Sequence, residues 1–146
     1  MKKPEARRQA TPAPLVPGGL IPFPRRATPY MCIVLPFPPS TNTLFPGKAR
    51  RFKSGAYKDW IERAGWALCQ QFRDEGQDTT HFGNPVKETI SLGRPDRHVR
   101  DLANFEKAIN DLLVAHSILR DDSLIHDLRL KWDDKIIGAI VEIEEL

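Results

Sequence analysis

Apolar and polar positions recur with two different periods along this 146-residue chain, and each period predicts a different element. A short apolar run at 30–35 predicts an opening strand, which ends at prolines that cannot donate to a sheet ladder. A second strand is predicted over 86–92. Two more strands are predicted over 124–132 and 136–144, joined by a hairpin turn at 133–135.

Two other stretches carry apolar residues at helical spacing. The first helix is predicted to follow a polar loop over 40–53, to be capped by Ser54 and to end near Arg73. The second begins near Asp101, and its apolar side chains fall within one arc of about 100°; they are Leu102, Phe105, Ile109, Leu112 and Leu113. The element order β-α-β-α-β-β predicts an α/β (α+β) fold, in which two main helices cover one side of a small mixed sheet of about four strands.

Residues 1–29 differ in composition from the rest. They hold seven of the 13 prolines and six Lys or Arg residues against the single acid Glu5. A segment of this kind cannot bury a core, so the sequence predicts a proline-rich, basic, disordered tail over 1–29 and one folded domain over 30–146. The tail is interpreted either as a disordered extension that binds nothing or as a basic arm that adds electrostatic affinity for DNA.

Composition and charge narrow the class of protein. Mean hydropathy is −0.42 and no apolar run approaches the roughly 20 residues of a membrane span, which excludes a membrane protein. Net charge is +3 with a pI near 9.0, and the cations cluster at 47–53 and 94–100 while acids dominate 121–145. Such segregation favours a face for an acidic partner, although it is also a common solubility feature. Cys32 and Cys69 are expected to be reduced, partly buried thiols, consistent with a cytoplasmic protein.

The candidate chemistry lies near the second predicted helix. Asp101 stands at its start and the pair Asp121-Asp122 follows it, close in sequence to the arginine-rich stretch 94–100. Carboxylates can hold a hard divalent cation through oxygen while arginines hold a polyanion, which together suit metal-assisted cleavage of a phosphodiester. The alternative interpretation is a solvated helix face with a capping aspartate.

Five segments in the same order resemble the RusA family of Holliday-junction resolvases. They are the opening strand running into Leu35-Pro-Phe-Pro-Pro-Ser-Thr-Asn42, a basic stretch with a helix, the strand that leads to Pro95-Asp-Arg-His-Val-Arg-Asp101, the segment Arg100-Asp-Leu-Ala-Asn104-Phe-Glu-Lys107, and the pair Asp121-Asp122. The resemblance covers about residues 30–146.

The resemblance implies a homodimer, common in bacteria and their prophages, that binds four-way branched DNA in recombination and repair. It would nick two opposed strands with Mg²⁺, for which Mn²⁺ is a possible substitute. Asp101 and Asp122 would bind the metal and Lys107 would be the catalytic lysine, with Asp121 as a further ligand. Asn42 and Asn104 would support the site, and seven cations would follow the phosphates: Lys48, Arg50, Arg51, Lys53, Arg94, Arg97 and Arg100.

Ala103 departs from the family pattern, which has an aspartate at the corresponding position. A methyl group cannot bind a cation, and Glu106 is the nearest replacement. Three explanations stay open: a natural variant that uses Glu106 or water, an engineered knockout, or a protein that binds junctions without cutting them. The two main hypotheses are therefore a metal-dependent endonuclease and a junction-binding protein, and a domain that binds RNA or protein through its basic loop is the third.

Overall fold

A computed structural model gives the structure of residues 29–47, 52–75 and 81–146. Its strands and helices, in chain order, are β1 (Tyr30–Leu35), α1 (Thr41–Leu44), α2 (Gly55–Glu75), β2 (Val86–Leu92), a first 3₁₀ turn (Leu102–Phe105), α3 (Glu106–Ala115), a second 3₁₀ turn (Asp122–Leu124), β3 (Ile125–Trp132) and β4 (Ala139–Glu145). The predictions made for Lys48, Arg50, Arg51 and residues 1–28 lie outside the described residues.

The four strands form one mixed sheet in the order β1-β4-β2-β3. β4 pairs antiparallel with both β1 and β2, whereas β2 and β3 run parallel. The predicted fold, with two main helices and a mixed sheet of four strands, is confirmed.

Alternation along the strands builds the core. Ile33, Ile90 and Val141 are buried on the face of the sheet that the helices cover. Trp60 of α2 and Ile109 of α3 are 1% and 0% exposed, so helix and sheet enclose one apolar layer.

An aromatic trio fixes the start of the α3 region against the sheet. The rings of Phe37 and Phe105 lie 5.0 Å apart, and Trp132 lies 6.0 Å from Phe105 and 6.5 Å from Phe37. Each ring comes from a different segment: the exit of β1, the first 3₁₀ turn and the end of β3. Their packing therefore holds together three segments that the candidate site uses.

The predicted hairpin at 133–135 is wrong. β2 lies between β3 and β4, so the chain crosses over the end of β2 instead of turning back beside β3. Asp133 donates its N–H to the carbonyl of Leu92 at 2.8 Å, and Gly93 donates to the carbonyl of Gly138 at 2.9 Å. Gly138 has a φ of +82°, and a Cβ there would lie 2.4 Å from the carbonyl oxygen of Leu35, so the crossover needs a glycine at this point.

Other boundaries shift by less. The strand predicted over 136–144 begins only at Ala139, because 134–138 form the crossover. The polar loop predicted over 40–53 contains the short helix α1, which Ser40 caps through its side chain. The helix expected to start near Asp101 starts as a 3₁₀ turn and becomes α-helical at Glu106.

Two further expectations concern the surface. Both cysteines are free, as predicted, but they are exposed, because Cys32 lies on the uncovered face of β1 and Cys69 on the outer side of α2. Within the described ranges, none of the helices combines the length and the apolarity needed to cross a bilayer.

Candidate active site

The first 3₁₀ turn presents the start of the candidate site. Asp101 caps it, because its Oδ1 accepts the backbone N–H of Ala103 at 3.2 Å. Thr41 of α1 donates its hydroxyl to the carbonyl oxygen of Asn104 at 2.9 Å. The segment that contains Asn42 and the segment that contains Asp101 are distant in sequence, and this bond joins them.

Lys107 lies one turn further along, on the outer face of α3. Its Nζ contacts Asp111 Oδ1 at 2.9 Å, and both side chains are partly exposed. Burial, and then the nearby carboxylate of Asp111, raise the pKa of Tyr57 above its usual value. Lys107, Asp111 and Tyr57 thus form one polar contact group between α3 and α2.

This group borders an open cleft of about 450 Å³ between α2, α3 and the second 3₁₀ turn. Aromatic and aliphatic side chains line most of the cleft, and its charged lining residues are Lys53, Asp111, Asp121 and Asp122. The Nζ of Lys53 lies 5.8 Å from the centre of the Tyr57 ring. The structure therefore brings the predicted pair Asp121-Asp122 together with the predicted cation Lys53.

The second 3₁₀ turn orients the acidic pair. Asp121 caps the turn by accepting the N–H of Ser123 at 2.9 Å, and the Ser123 side chain and N–H hold the pKa of Asp121 below its usual range. Asp122 is exposed in the first turn. Asp121 thus uses one carboxylate oxygen to cap the turn, and Asp122 is an exposed acid that lines the same cleft.

The predicted metal ligands do not all meet at one point. Asp121 and Asp122 line the cleft, but Asp101 is not among its lining residues. Across the described residues, no three side chains of the types His, Cys, Asp or Glu come together as a metal cluster. The oxygen donors still suit magnesium chemically, because Mg²⁺ usually binds through only one or two carboxylates and completes its shell with water and phosphate oxygens.

The arginine-rich segment 94–100 is exposed over most of its length. Arg94 forms an ion pair with Asp134 at 2.7 Å, and its guanidinium carbon lies 4.9 Å from the centre of the Trp132 ring. Arg100 donates through both terminal nitrogens to Asp96. The Arg100 guanidinium, and then the N–H of His98, hold the pKa of Asp96 well below its usual range. Arg97 is exposed and has no ion-pair partner within the described part of the chain.

Glu106 faces a different environment from Lys107. Its Oε2 accepts a hydrogen bond from Asn110 Nδ2 at 3.0 Å, and its negative charge raises the pKa of the buried Glu88. Successive residues on a helix lie about 100° apart, so the acid that the sequence offered as a substitute for position 103 turns toward the sheet while Lys107 turns toward solvent.

Four residues of this region were not among the predicted site residues: Tyr57, Glu88, Asn110 and Asp111. Asp111 carried a signal, because it continues the polar stripe of Asn104 and Lys107 along the helix. Glu88 carried another, because strand alternation places it on the same face as Val86 and Ile90, where a carboxyl group is unexpected.

Comparison with known proteins gives a consistent match. A family model described as Endodeoxyribonuclease RusA matches residues 36–144. A protein of Aquifex aeolicus (strain VF5) named Crossover junction endodeoxyribonuclease RusA is 29% identical over 111 residues, which cover 75% of this chain and 84% of that protein. Proteins of the same name from Escherichia coli O139:H28 and Shigella sonnei are 34% and 33% identical over 102 residues, covering 67% of this chain and 78% of each relative.

Proposed function

The chain belongs to the RusA family of endodeoxyribonucleases, and on that premise we propose that it resolves Holliday junctions by magnesium-dependent hydrolysis of phosphodiester bonds. Its substrate is four-way branched DNA, which links the chain to recombination and repair. One observation carries the proposal: the family's acidic pair, as Asp121-Asp122, lines a cleft beside the α3 face that holds Lys107.

Each of these side chains has a distinct task in the proposed reaction. Asp122 presents an exposed carboxylate from the second 3₁₀ turn, and Asp101 offers another exposed carboxylate at the start of the first 3₁₀ turn. Lys107 places a positive charge where negative charge builds up on the scissile phosphate. Asp111 holds the Lys107 ammonium group in position until DNA arrives, because the two side chains are in contact at 2.9 Å.

When bound, Mg²⁺ supplies an activated water and neutralises charge on the phosphate oxygens. Asp101 and Asp122 are the residues that would hold it, with Asp121 beside them. The chain's other contribution is to hold the DNA backbone along Lys53, Arg94, Arg97 and Arg100, which carries no sequence information by itself.

We also propose that the active form is a symmetric homodimer. A four-way junction has two opposed strands to cut, and two copies of one site related by a two-fold axis match that symmetry. The family resemblance supports this assembly, and size-exclusion chromatography with light scattering would measure it directly.

A nicking assay on a synthetic four-way junction tests the function. The intact chain is incubated with a junction labelled on one strand at a time, in Mg²⁺, in Mn²⁺ and in EDTA. Paired nicks on opposed strands are expected with a divalent ion and none in EDTA. Asp122→Asn is expected to cut at least about 100-fold more slowly, a cost of roughly 3 kcal/mol in the barrier, while Asp59→Asn on the exposed side of α2 serves as the matched control.

Ala103 favours a second candidate function, a protein that binds junctions without cutting them. The two candidates separate in the same assay. If the chain binds the junction but does not cut it with any divalent ion, while Ala103→Asp does cut it, the endonuclease proposal fails for this sequence. Cutting by the unmodified chain excludes the binding-only alternative.

A further inference from the structure

Glu88 occupies a position of β2 that belongs to the core. It is 0% exposed, and it lies on the same strand face as Val86 and Ile90. Neither of its carboxylate oxygens accepts a hydrogen bond of ordinary geometry from any residue that the structure describes. Burying a carboxyl group without partners costs several kcal/mol. The carboxyl group of Glu88 therefore lacks the donor or the positive charge that would offset its burial.

The residues next to Glu88 add further acceptor oxygens and a second carboxyl group. Asn110 of α3 is 7% exposed and donates its amide to Glu106, but its own Oδ1 has no donor among the described residues. Burial, and then the charge of Glu106, raise the pKa of Glu88 to about 8, against a smaller lowering by the neighbouring Asn110 side chain. The cluster of Glu88, Glu106 and Asn110 therefore brings two carboxyl groups together with three buried acceptor oxygens that have no hydrogen-bond donor of ordinary geometry among the described residues.

A proton and a cation satisfy this cluster to different extents. One proton on Glu88 creates one donor, which pairs at most one of the other acceptors and leaves an oxygen unpartnered. A divalent cation accepts several oxygen ligands at once and offsets the charge of both carboxylates. The donor set of carboxylate and amide oxygens is the one that Mg²⁺, Mn²⁺ and Ca²⁺ prefer.

The cluster also has a route to the surface. Glu106 is only half-buried in the first turn of α3. Positions 103, 106 and 110 follow the i, i+3, i+7 spacing of one helix stripe, and Ala103 at its beginning is exposed. The half-buried carboxyl group of Glu106 is thus the part of the cluster that approaches solvent.

We propose that Glu88, Glu106 and the side-chain oxygen of Asn110 form a divalent-cation site of this chain, between β2 and the first turns of α3. Water completes the coordination on the side of Glu106. The site is distinct from Asp101 and Asp122, so its existence does not depend on the proposed nuclease activity.

The test measures binding of Mn²⁺ to the full chain in the absence of DNA. Isothermal titration calorimetry and the electron paramagnetic resonance signal of free Mn²⁺ together give the number of sites and their affinity. Glu88→Gln keeps the side-chain shape and is expected to remove one site or to weaken it at least about tenfold. Glu62→Gln, an exposed acid on α2, is the matched control and is expected to bind Mn²⁺ like the parent chain.

A second measurement covers the case in which Glu88→Gln folds poorly. Asn110→Ala removes the amide ligand and leaves the carboxyl of Glu88 in place. The melting temperature of the parent chain is expected to rise with Mn²⁺ concentration, as for any ligand that binds only the folded state, and this rise is expected to shrink in both variants. Unchanged Mn²⁺ stoichiometry and affinity in Glu88→Gln and Asn110→Ala would show that the cluster holds a proton alone and would overturn the proposal.

Failure of this site and failure of the proposed function give different results. Asp122→Asn is expected to lose nicking and to keep the Mn²⁺ site of the cluster. A chain that binds Mn²⁺ through Glu88 but never cuts a junction contradicts only the proposed function. A chain that cuts, and whose Glu88→Gln variant binds Mn²⁺ unchanged, contradicts only the cation site.

Discussion

The charged residues around Ala103 face in different directions. Asp101 caps the turn and Lys107 contacts Asp111 on the outer face. Glu106, the acid nearest in sequence, contacts Asn110 on the inner face instead. Glu106, the acid that the sequence suggested as a replacement at position 103, therefore faces the core, close to the buried Glu88.

Glu88 makes a residue-scale prediction about pH and stability. Its pKa is raised from 4.5 to about 8 in the folded chain, mainly by burial. Between these values the folded state binds the extra proton and the unfolded state does not, so the free energy of unfolding falls as pH rises. The stabilisation from this group is fully present below pH 4.5 and is lost as pH passes through about 8. One pKa unit corresponds to about 1.4 kcal/mol, so the full change is on the order of 5 kcal/mol.

Urea denaturation from pH 5 to pH 9 in EDTA measures this effect, because the chelator leaves the proton as the only partner of the cluster. Glu88→Gln cannot titrate, and the difference in unfolding free energy between parent chain and variant removes the contribution of all other groups. This difference is expected to shift steadily in favour of the variant as pH rises. A difference that stays constant with pH would contradict the raised pKa.

At the scale of elements, α2 protects the exposed edge of the sheet. β1 is an edge strand, and Gln71 of α2 pairs with it through both ends of its amide. The N–H of Val34 donates to Gln71 Oε1 and Gln71 Nε2 donates to the carbonyl of Val34, each at 2.7 Å. The amide of Gln71 thus takes the place of a neighbouring strand, and the edge has fewer free groups with which to pair with another chain.

We expect Gln71→Ala to lower the free energy of unfolding by about 1–2 kcal/mol, because two backbone hydrogen bonds are lost and must be replaced by water. Gln70→Ala is the control: Gln70 is exposed and its side chain donates to Asp74 of its own helix, so its loss is expected to cost less than about 0.5 kcal/mol. Urea denaturation measures both, and light scattering at high concentration shows whether the bare edge promotes association. Equal costs for the two variants would mean that the edge contact contributes nothing.

Elements with a strong period could be predicted from the sequence, and connections could not. β1 and β2 begin and end at the residues predicted for them, and Ser54 caps α2 as predicted by accepting the N–H of Tyr57 at 3.1 Å. The crossover at 133–138 has the composition of a tight turn, yet β2 occupies the place beside β3 where the hairpin partner would lie. Strand order depends on contacts between distant segments, and a local pattern contains no information about them.

The contacts between charged residues in the whole molecule could not be predicted from local patterns either. Carboxylates and cations could be chosen from motifs, but their partners depend on the fold: Arg94 lies on Trp132 beside Asp134, and Glu88 approaches Glu106 across the interface of sheet and helix. Acids that are 18 positions apart in sequence meet only because α3 packs on β2. The sequence therefore predicted which chemistry is present more completely than it predicted which groups act together.

Electrostatics at the scale of the whole molecule give the last prediction. DNA affinity should fall as salt rises, with a slope set by the number of phosphates that the chain neutralises. Arg97 is exposed and has no ion-pair partner within the described ranges, whereas Arg100 is already neutralised by Asp96. Arg97→Ala is expected to reduce the slope of log affinity against log salt by about one, and Arg100→Ala by clearly less. Fluorescence anisotropy of a labelled four-way junction over a range of NaCl concentrations measures both slopes, and a larger loss for Arg100→Ala would show that DNA breaks the pair with Asp96 and uses Arg100 instead.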